Sequence, residues 1–300
     1  MRTNSSSHFR TVVEALFVTV LWSTSWVLIK LGLKDIPPLT FAGLRYTLAF
    51  VCLLPLALRR PQRTSLRHLP VRTWGRLILL GLLLYTVTQG AQFLSLAYLP
   101  AATTSLILSF TTILVALLGI GLLNERPTPI QWGGTLLYLV GIWIYFSPTS
   151  LSGGAGFGLL AAGVCLLGNA LASLLGRHVN RDETLDPTTV TVVSMGAGAP
   201  VLLIIGLLTQ GLPRLTIADW GLLLWLAVVN SALAFTLWNR TLRTLSAMES
   251  SILNNTMLFQ IALLAWLFLG ERLTWVQGLG MALAMLGTFV VQARKSSSTE

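Results

Sequence analysis

Side chains able to do chemistry are scarce in this chain. Only 10% of its 300 residues are charged, against 54% hydrophobic. Two of the charges recur as a pair. Residues 122–134 read LLNERPTPIQWGG and residues 268–280 read FLGERLTWVQGLG, so Glu125-Arg126 and Glu271-Arg272 each interrupt a long apolar run. A carboxylate at a corner between two helices can accept from the free amides that open the next helix. The pairs therefore read first as structural corners, with a functional role left open.

Two more cations, Lys30 and Arg45, stand inside apolar stretches. A lysine near a helix end can run its stem along apolar surface to bring its charge to water, or it can line a cavity. Arg45 is deeper, where a guanidinium is costly unless it faces protein or water. It fits either a cavity wall or an internal structural pairing, and a cationic wall suits a substrate that carries a carboxylate. Tyr85, Thr88, Gln89 and Gln92 recur at i, i+3, i+4 and i+7, one face of a helix. Asn169 and Ser173 are four apart; Asn230, Ser231, Phe235 and Trp238 form another polar and aromatic group, and Trp22, Ser23 and Trp26 a third. Ser105 and Ser109, and Ser251, Asn254 and Asn255, add hydroxyls and amides for which packing is the stronger reading. If these groups converge, they make a pocket of neutral polar groups and aromatic walls suited to zwitterionic or amphipathic small molecules. The alternative is hydrogen-bond glue between helices.

Other chemistries lack their residues. The three histidines, His8, His68 and His178, show no metal-ligand spacing, and no cofactor is called for. Cys52 and Cys165 sit in apolar segments and read as small packing groups. An enzyme acting on lipids would need a cluster of titratable groups or a nucleophile beside its base at one depth, and none is seen.

These residues must be positioned by membrane spans. So few charges could not cover a soluble protein of this size, and mean hydropathy is +0.76. Gly, Pro and charge punctuation divides the chain into ten spans, near 14–34, 39–58, 74–97, 101–122, 128–147, 156–176, 188–210, 219–240, 247–269 and 273–293. Each must be helical, because in lipid a helix satisfies its own backbone polar groups. The first is read as a retained helix, since no small-residue cleavage site ends it. The net charge of +10 comes largely from arginines crowded at 59–76, a topology signal before it is a nucleic-acid surface. With the N-terminus in the cytoplasm, fifteen Arg and Lys fall on cytoplasmic segments and four outside, so both termini are expected there. Trp74, Trp132, Trp220 and Trp275, near helix ends, read as interface anchors.

The paired corners belong to a larger repeat. Glu125 and Glu271 are 146 positions apart, and that offset gives fourteen identities between 99 and 146 without a gap. The units are 1–150 and 151–300, five spans each. Five is odd, so the second unit enters the membrane upside down, and a substrate site is expected between the halves near the midplane. Gly133, Gly134, Gly141, Gly278, Gly280 and Gly287, which follow the corners, are expected to let helix backbones approach. One chain completes such a pocket, so a monomer is the simplest reading; the glycine-rich fifth and tenth helices leave a dimer open.

At this point the sequence resembles the drug/metabolite transporter superfamily, of the EamA ten-helix type. The resemblance rests on the two Glu-Arg corners, on Trp22, Ser25 and Lys30 followed by Pro37-Pro38 and Arg45, and on QFLSLAYLPAATTSLIL (92–108) echoed by LWNRTLRTLSAMESSIL (237–253). It covers nearly the whole chain. It implies an all-α integral membrane protein that exports metabolites, commonly amino acids and their analogues, across the bacterial inner membrane by alternating access. A multidrug or nucleotide-sugar exporter, proton-coupled or not, is the alternative. Four-helix multidrug pumps of the superfamily carry a buried glutamate eight residues before the lysine; here that position is Trp22, and Glu14 lies a further eight back. Facilitated movement is therefore expected. The expected substrate-binding residues are Trp22, Ser23, Trp26, Lys30, Arg45, Tyr85, Thr88, Gln89, Gln92, Asn169, Asn230 and Trp238.

Overall fold

The computed structural model describes residues 5–57, 69–115, 118, 128–147, 154–180, 186–241, 245 and 247–293. Its ordered elements among these are all helical: α1 (Ser5–Gly32), α2 (Pro38–Ala57), α3 (Val71–Tyr98), α4 (Ala101–Val115), α5 (Pro129–Phe146), α6 (Ala155–Asn180), α7 (Pro187–Gln210), α8 (217–241), α9 (Ala247–Leu269) and α10 (Trp275–Ala293). Six contain apolar spans long enough to cross a bilayer, and three more carry shorter apolar stretches. Large apolar side chains such as Trp143, Leu160 and Leu208 point outward, as lipid contact requires. Glu125 and Arg126 lie outside the described residues.

Helix starts follow local sequence. Thr128 and Gln131 form a capping box at the start of α5: Gln131 N donates to Thr128 Oγ1 at 3.4 Å, and Thr128 N donates to Gln131 Oε1 at 2.8 Å. One repeat later Thr274 and Gln277 make the same exchange at the start of α10, at 2.9 and 3.2 Å. The identities at these two positions are thus the same cap built twice. Trp132, Trp220 and Trp275 stand exposed in first turns.

The inversion is visible in the packing. Two pairs of equivalent helices, α2 with α7 and α5 with α10, pack antiparallel. The start of α2 meets the end of α7, where Leu39 N donates to Gln210 Oε1 at 2.8 Å and Thr40 Oγ1 to Gly211 O at 2.9 Å. The start of α5 meets the end of α10, where Gln131 Nε2 donates to Val291 O at 3.4 Å. Along that second pair the glycines cross: a Cβ on Gly141 would sit 2.6 Å from Gly280 O, and one on Gly134 would sit 2.8 Å from Gly287 O. Gly133 and Gly278 have nothing within 4 Å, so close approach uses four of the six expected glycines. Those four are used for contacts inside the chain. Cys165 is buried as expected, whereas Cys52 is exposed on the outer side of α2.

Two helices depart from regular α geometry. α3 widens to a π-helix over Leu82–Gln89, and α8 does so over Val228–Leu233. Leu82 and Val228 are equivalent under the 146-residue offset, so both halves carry the widened turn at the same place. Such turns are frequent at functional sites. The first is flanked by close backbone contact with α7: a Cβ on Gly81 would lie 2.1 Å from Ser194 O, and one on Gly198 the same distance from Gly81 O. The main apolar core surrounds these segments with residues of α1, α2, α3, α7, α8 and α9; a second core joins α4, α5, α9 and α10.

Candidate functional site

The two π-segments and α2 bring the polar groups of both halves together. Arg45 is 2% exposed. Its Nε donates to Ser231 Oγ at 2.9 Å and its Nη2 to Asn230 O at 3.4 Å, both on the π-segment of α8. Its guanidinium lies 5.0 Å from the Tyr46 ring centre and 6.0 Å from that of Phe93. Among the described residues no carboxylate contacts it, and Nη1 has no acceptor. The charge is therefore held by hydroxyl, carbonyl and aromatic faces alone, an incomplete neutralisation for a group whose burial is costly.

An unbroken run of rings leads away from Arg45. Tyr46 is 5.5 Å from Tyr85, Tyr85 is 5.9 Å from Phe235, and Trp22 is 5.2 Å from both Phe235 and Trp238. Tyr46 Oη donates to Gln89 Oε1 at 2.7 Å. Asn230 Nδ2 donates to Leu21 O and, at 3.3 Å, to Thr24 Oγ1, tying the α8 widening to α1. Two buried polar atoms in this region, Trp22 Nε1 and Asn230 Oδ1, have no partner among the described residues. A buried donor and a buried acceptor left open beside an aromatic wall are groups a polar ligand can complete.

Seven of the twelve expected residues thus relate to one region: Trp22, Arg45, Tyr85, Gln89, Asn230 and Trp238 by these contacts, and Ser23 as the residue after Trp22 on α1. Ser23 Oγ donates to Gln260 Oε1 of α9 at 2.8 Å. The other five make none of these contacts. Trp26 packs in the main core. Thr88 turns toward α6, where a Cβ on Gly168 would meet its Oγ1 at 2.7 Å, and it donates to Leu83 O. The single α-helical face expected for Tyr85, Thr88, Gln89 and Gln92 is therefore corrected, because the π-turn shifts the register partway along it. Gln92 is half-buried, with no protein hydrogen bond among the described residues. Asn169 Nδ2 reaches Thr111 Oγ1 of α4 at 3.4 Å.

Lys30 is anchored inside the protein: Nζ donates to Leu96 O at 2.6 Å and to Leu99 O at 2.7 Å, at the end of α3. The outward snorkel is corrected by those two carbonyls, which take the ammonium first. Ser173 and Asn254 are exposed, Ser109 bonds to Leu106 O and Tyr138 Oη, and Asn255 is buried with no partner for Nδ2 among the described residues; the side chain of Ser251 lies outside them. Sequence reasoning missed Tyr46 and Gln260. Gln260 was detectable as a lone amide in the apolar run of α9, whereas Tyr46 looks like ordinary core until Gln89 is placed against it. Glu271 also takes an unexpected partner. Its two carboxylate oxygens accept from Ala101 N at 2.8 Å and Ala102 N at 3.2 Å, so it caps α4 of the other half and not the α10 helix that follows it.

Known proteins share this fold. A chain in a solved crystal structure superposes with a TM-score of 0.68 over 94% of this chain and 97% of its own, at 20% identity, which speaks to the fold alone. The "Probable amino-acid metabolite efflux pump" of Salmonella typhimurium is 29% identical over 92% of each chain. The "S-adenosylmethionine/S-adenosylhomocysteine transporter" of Chlamydia trachomatis serovar L2 is 28% identical over 84% of this chain and 79% of its own. The EamA-like transporter family model matches twice, over residues 10–147 and 155–292, so the chain belongs to the EamA-like transporter family and is a multi-pass membrane transporter of small metabolites, not an enzyme.

Proposed function

We propose that this transporter exports amino acids and closely related metabolites, and that Arg45 reads the substrate carboxylate. The observation that carries the reading is the buried Arg45 guanidinium, which no carboxylate contacts among the described residues, set between the two halves at the π-segment of α8. A carboxylate would complete it bidentately. The aromatic run from Tyr46 to Trp238 would take the remainder of the substrate, with Gln89, Asn230 and Trp22 supplying neutral polar contacts. The halves rock about this region to expose it to each side in turn. The relatives named as amino-acid metabolite efflux pumps support the substrate class. So does the relative named for S-adenosylmethionine, since that compound carries an α-amino acid group beside a large ring system.

The protein works as a single chain in the bacterial inner membrane with both termini cytoplasmic, and substrate moves down its own gradient. Glu14 is the one carboxylate well inside a span among the described residues. It lies in the first half of α1, its buried Oε1 3.8 Å from Nε of the exposed Arg240. The test is uptake of a panel of labelled amino acids by proteoliposomes, with and without an imposed proton gradient. Uptake of several without a gradient is expected. Flux that strictly requires the gradient would overturn the facilitative mechanism, and no uptake in either condition would overturn the substrate class in favour of drugs or nucleotide sugars.

A further inference from the structure

One end of the bundle is held by two charges that reach the same corner from different helices. The corner is the connection between α3 and α4, residues 96–102. Lys30 of α1 takes the carbonyls that end α3, at Leu96 and Leu99. Glu271, on the connection between α9 and α10, takes the amides that open α4, at Ala101 and Ala102. Each charge has the sign that its helix end attracts. α4 begins after Pro100, which gives it no side-chain cap of its own, so its first amides depend on the other half of the molecule.

The elements joined here leave a gap beside their contact. A cavity of about 380 Å³ opens between them, lined by Lys30, Lys34, Leu96, Phe268, Leu269 and Glu271. Phe268 is 65% exposed at its margin. Ala101 and Ala102 are buried against apolar residues of α9, and the polar contact between the halves at this corner is the pair of Glu271 bonds beside the cavity. Gly270, at φ +68°, turns the chain sharply just before Glu271, and a side chain there would have open space around it. Charge-assisted bonds of this kind are strong while formed and are exchanged for water when released.

We propose that Glu271 and Lys30 form a latch that keeps this end of the transporter closed by clamping the α3–α4 corner between α1 and the α9–α10 connection. Opening to this side releases Glu271 from Ala101 and Ala102, and the cavity becomes the vestibule through which substrate passes. The latch rests on alternating access but not on the identity of the substrate.

The test needs no substrate. In purified protein with Cys52→Ser, a Gln92→Cys reporter lies one turn inward of Leu96, and its rate of labelling by a polar maleimide reads access from the latched end. An Asn169→Cys reporter, beyond the midpoint of α6, reads the other end. Glu271→Gln removes the carboxylate charge and is expected to raise Gln92→Cys labelling roughly tenfold, the shift that losing about 1.4 kcal/mol of capping produces, while Asn169→Cys labelling falls. Lys30→Gln is expected to act in the same direction by about threefold, and it carries the test if Glu271→Gln does not fold. Unchanged labelling at Gln92→Cys would overturn the latch. A rise at both reporters together would overturn it too, because that is the signature of a cap that only stabilises the fold. If the latch result holds while no amino acid is transported, the substrate reading alone has failed.

Discussion

Exchanging Gly141 and Gly133 for alanine, one at a time, should have opposite effects, although both lie on α5. At Gly141 the new methyl would sit 2.5 Å from Ala284 N and 2.6 Å from Gly280 O. Both are backbone atoms of α10, so no rotamer change relieves the contact and the helices must separate. Overpacking of this sort costs about 1–3 kcal/mol. At Gly133 nothing lies within 4 Å, so alanine only removes the entropic penalty of glycine in a helix, a gain of about 0.5–1 kcal/mol. The two variants should differ by roughly 1.5–4 kcal/mol. At about 2–4 °C per kcal/mol, this is a separation of several degrees in detergent melting midpoint. The assay is thermal denaturation of the purified proteins followed by the fraction remaining monodisperse. Because α5 and α10 belong to different halves, Gly141→Ala should also impair transport, and Gly133→Ala should not. If Gly141→Ala melts at or above Gly133→Ala, the antiparallel glycine crossing is wrong.

Two other outcomes follow from the same geometry. Thr128→Ala and Thr274→Ala each remove a capping-box hydroxyl at equivalent positions and should each lower stability by about 1 kcal/mol in denaturant or thermal unfolding, with Thr→Ser restoring most of it. Glu14→Gln should leave uptake in the absence of an ion gradient at the parent rate, because its carboxylate lies by the exposed Arg240 and not at Arg45; a loss measured in proteoliposomes would make Glu14 part of the transport step.

The sequence exposes what depends on repetition and on hydropathy. The inverted halves follow from identities such as Thr128 with Thr274 and Gly141 with Gly287, because the same cap and the same close approach were needed twice. The convergence of Arg45, Asn230, Trp22 and Trp238 is foreshadowed by polar and aromatic residues in runs that lipid would otherwise keep apolar. What it hides is geometry set between elements. A π-turn leaves no residue-type signature, so Thr88 is assigned to the same face as Gln89 until the widening turns it toward Gly168. The partner of Glu271 is also hidden: spacing along the chain points to the next helix, while the inverted packing delivers the α4 amides from the other half. Lys30 misleads for a related reason, since the carbonyls of Leu96 and Leu99 that hold it lie in a different helix.

The role of Arg45 is tested most directly by comparing an amino acid with its carboxamide. Counterflow would be measured in proteoliposomes for a transported amino acid, with the free acid and the amide as competitors, for the parent and for Arg45→Lys. The account predicts that the parent prefers the acid by roughly tenfold or more, the worth of one charge-assisted bond. Arg45→Lys should lose most of that preference, because an ammonium offers a point charge in place of the planar fork. Equal competition by acid and amide in the parent, or an acid preference untouched by Arg45→Lys, would contradict the claim that this buried guanidinium reads a carboxylate.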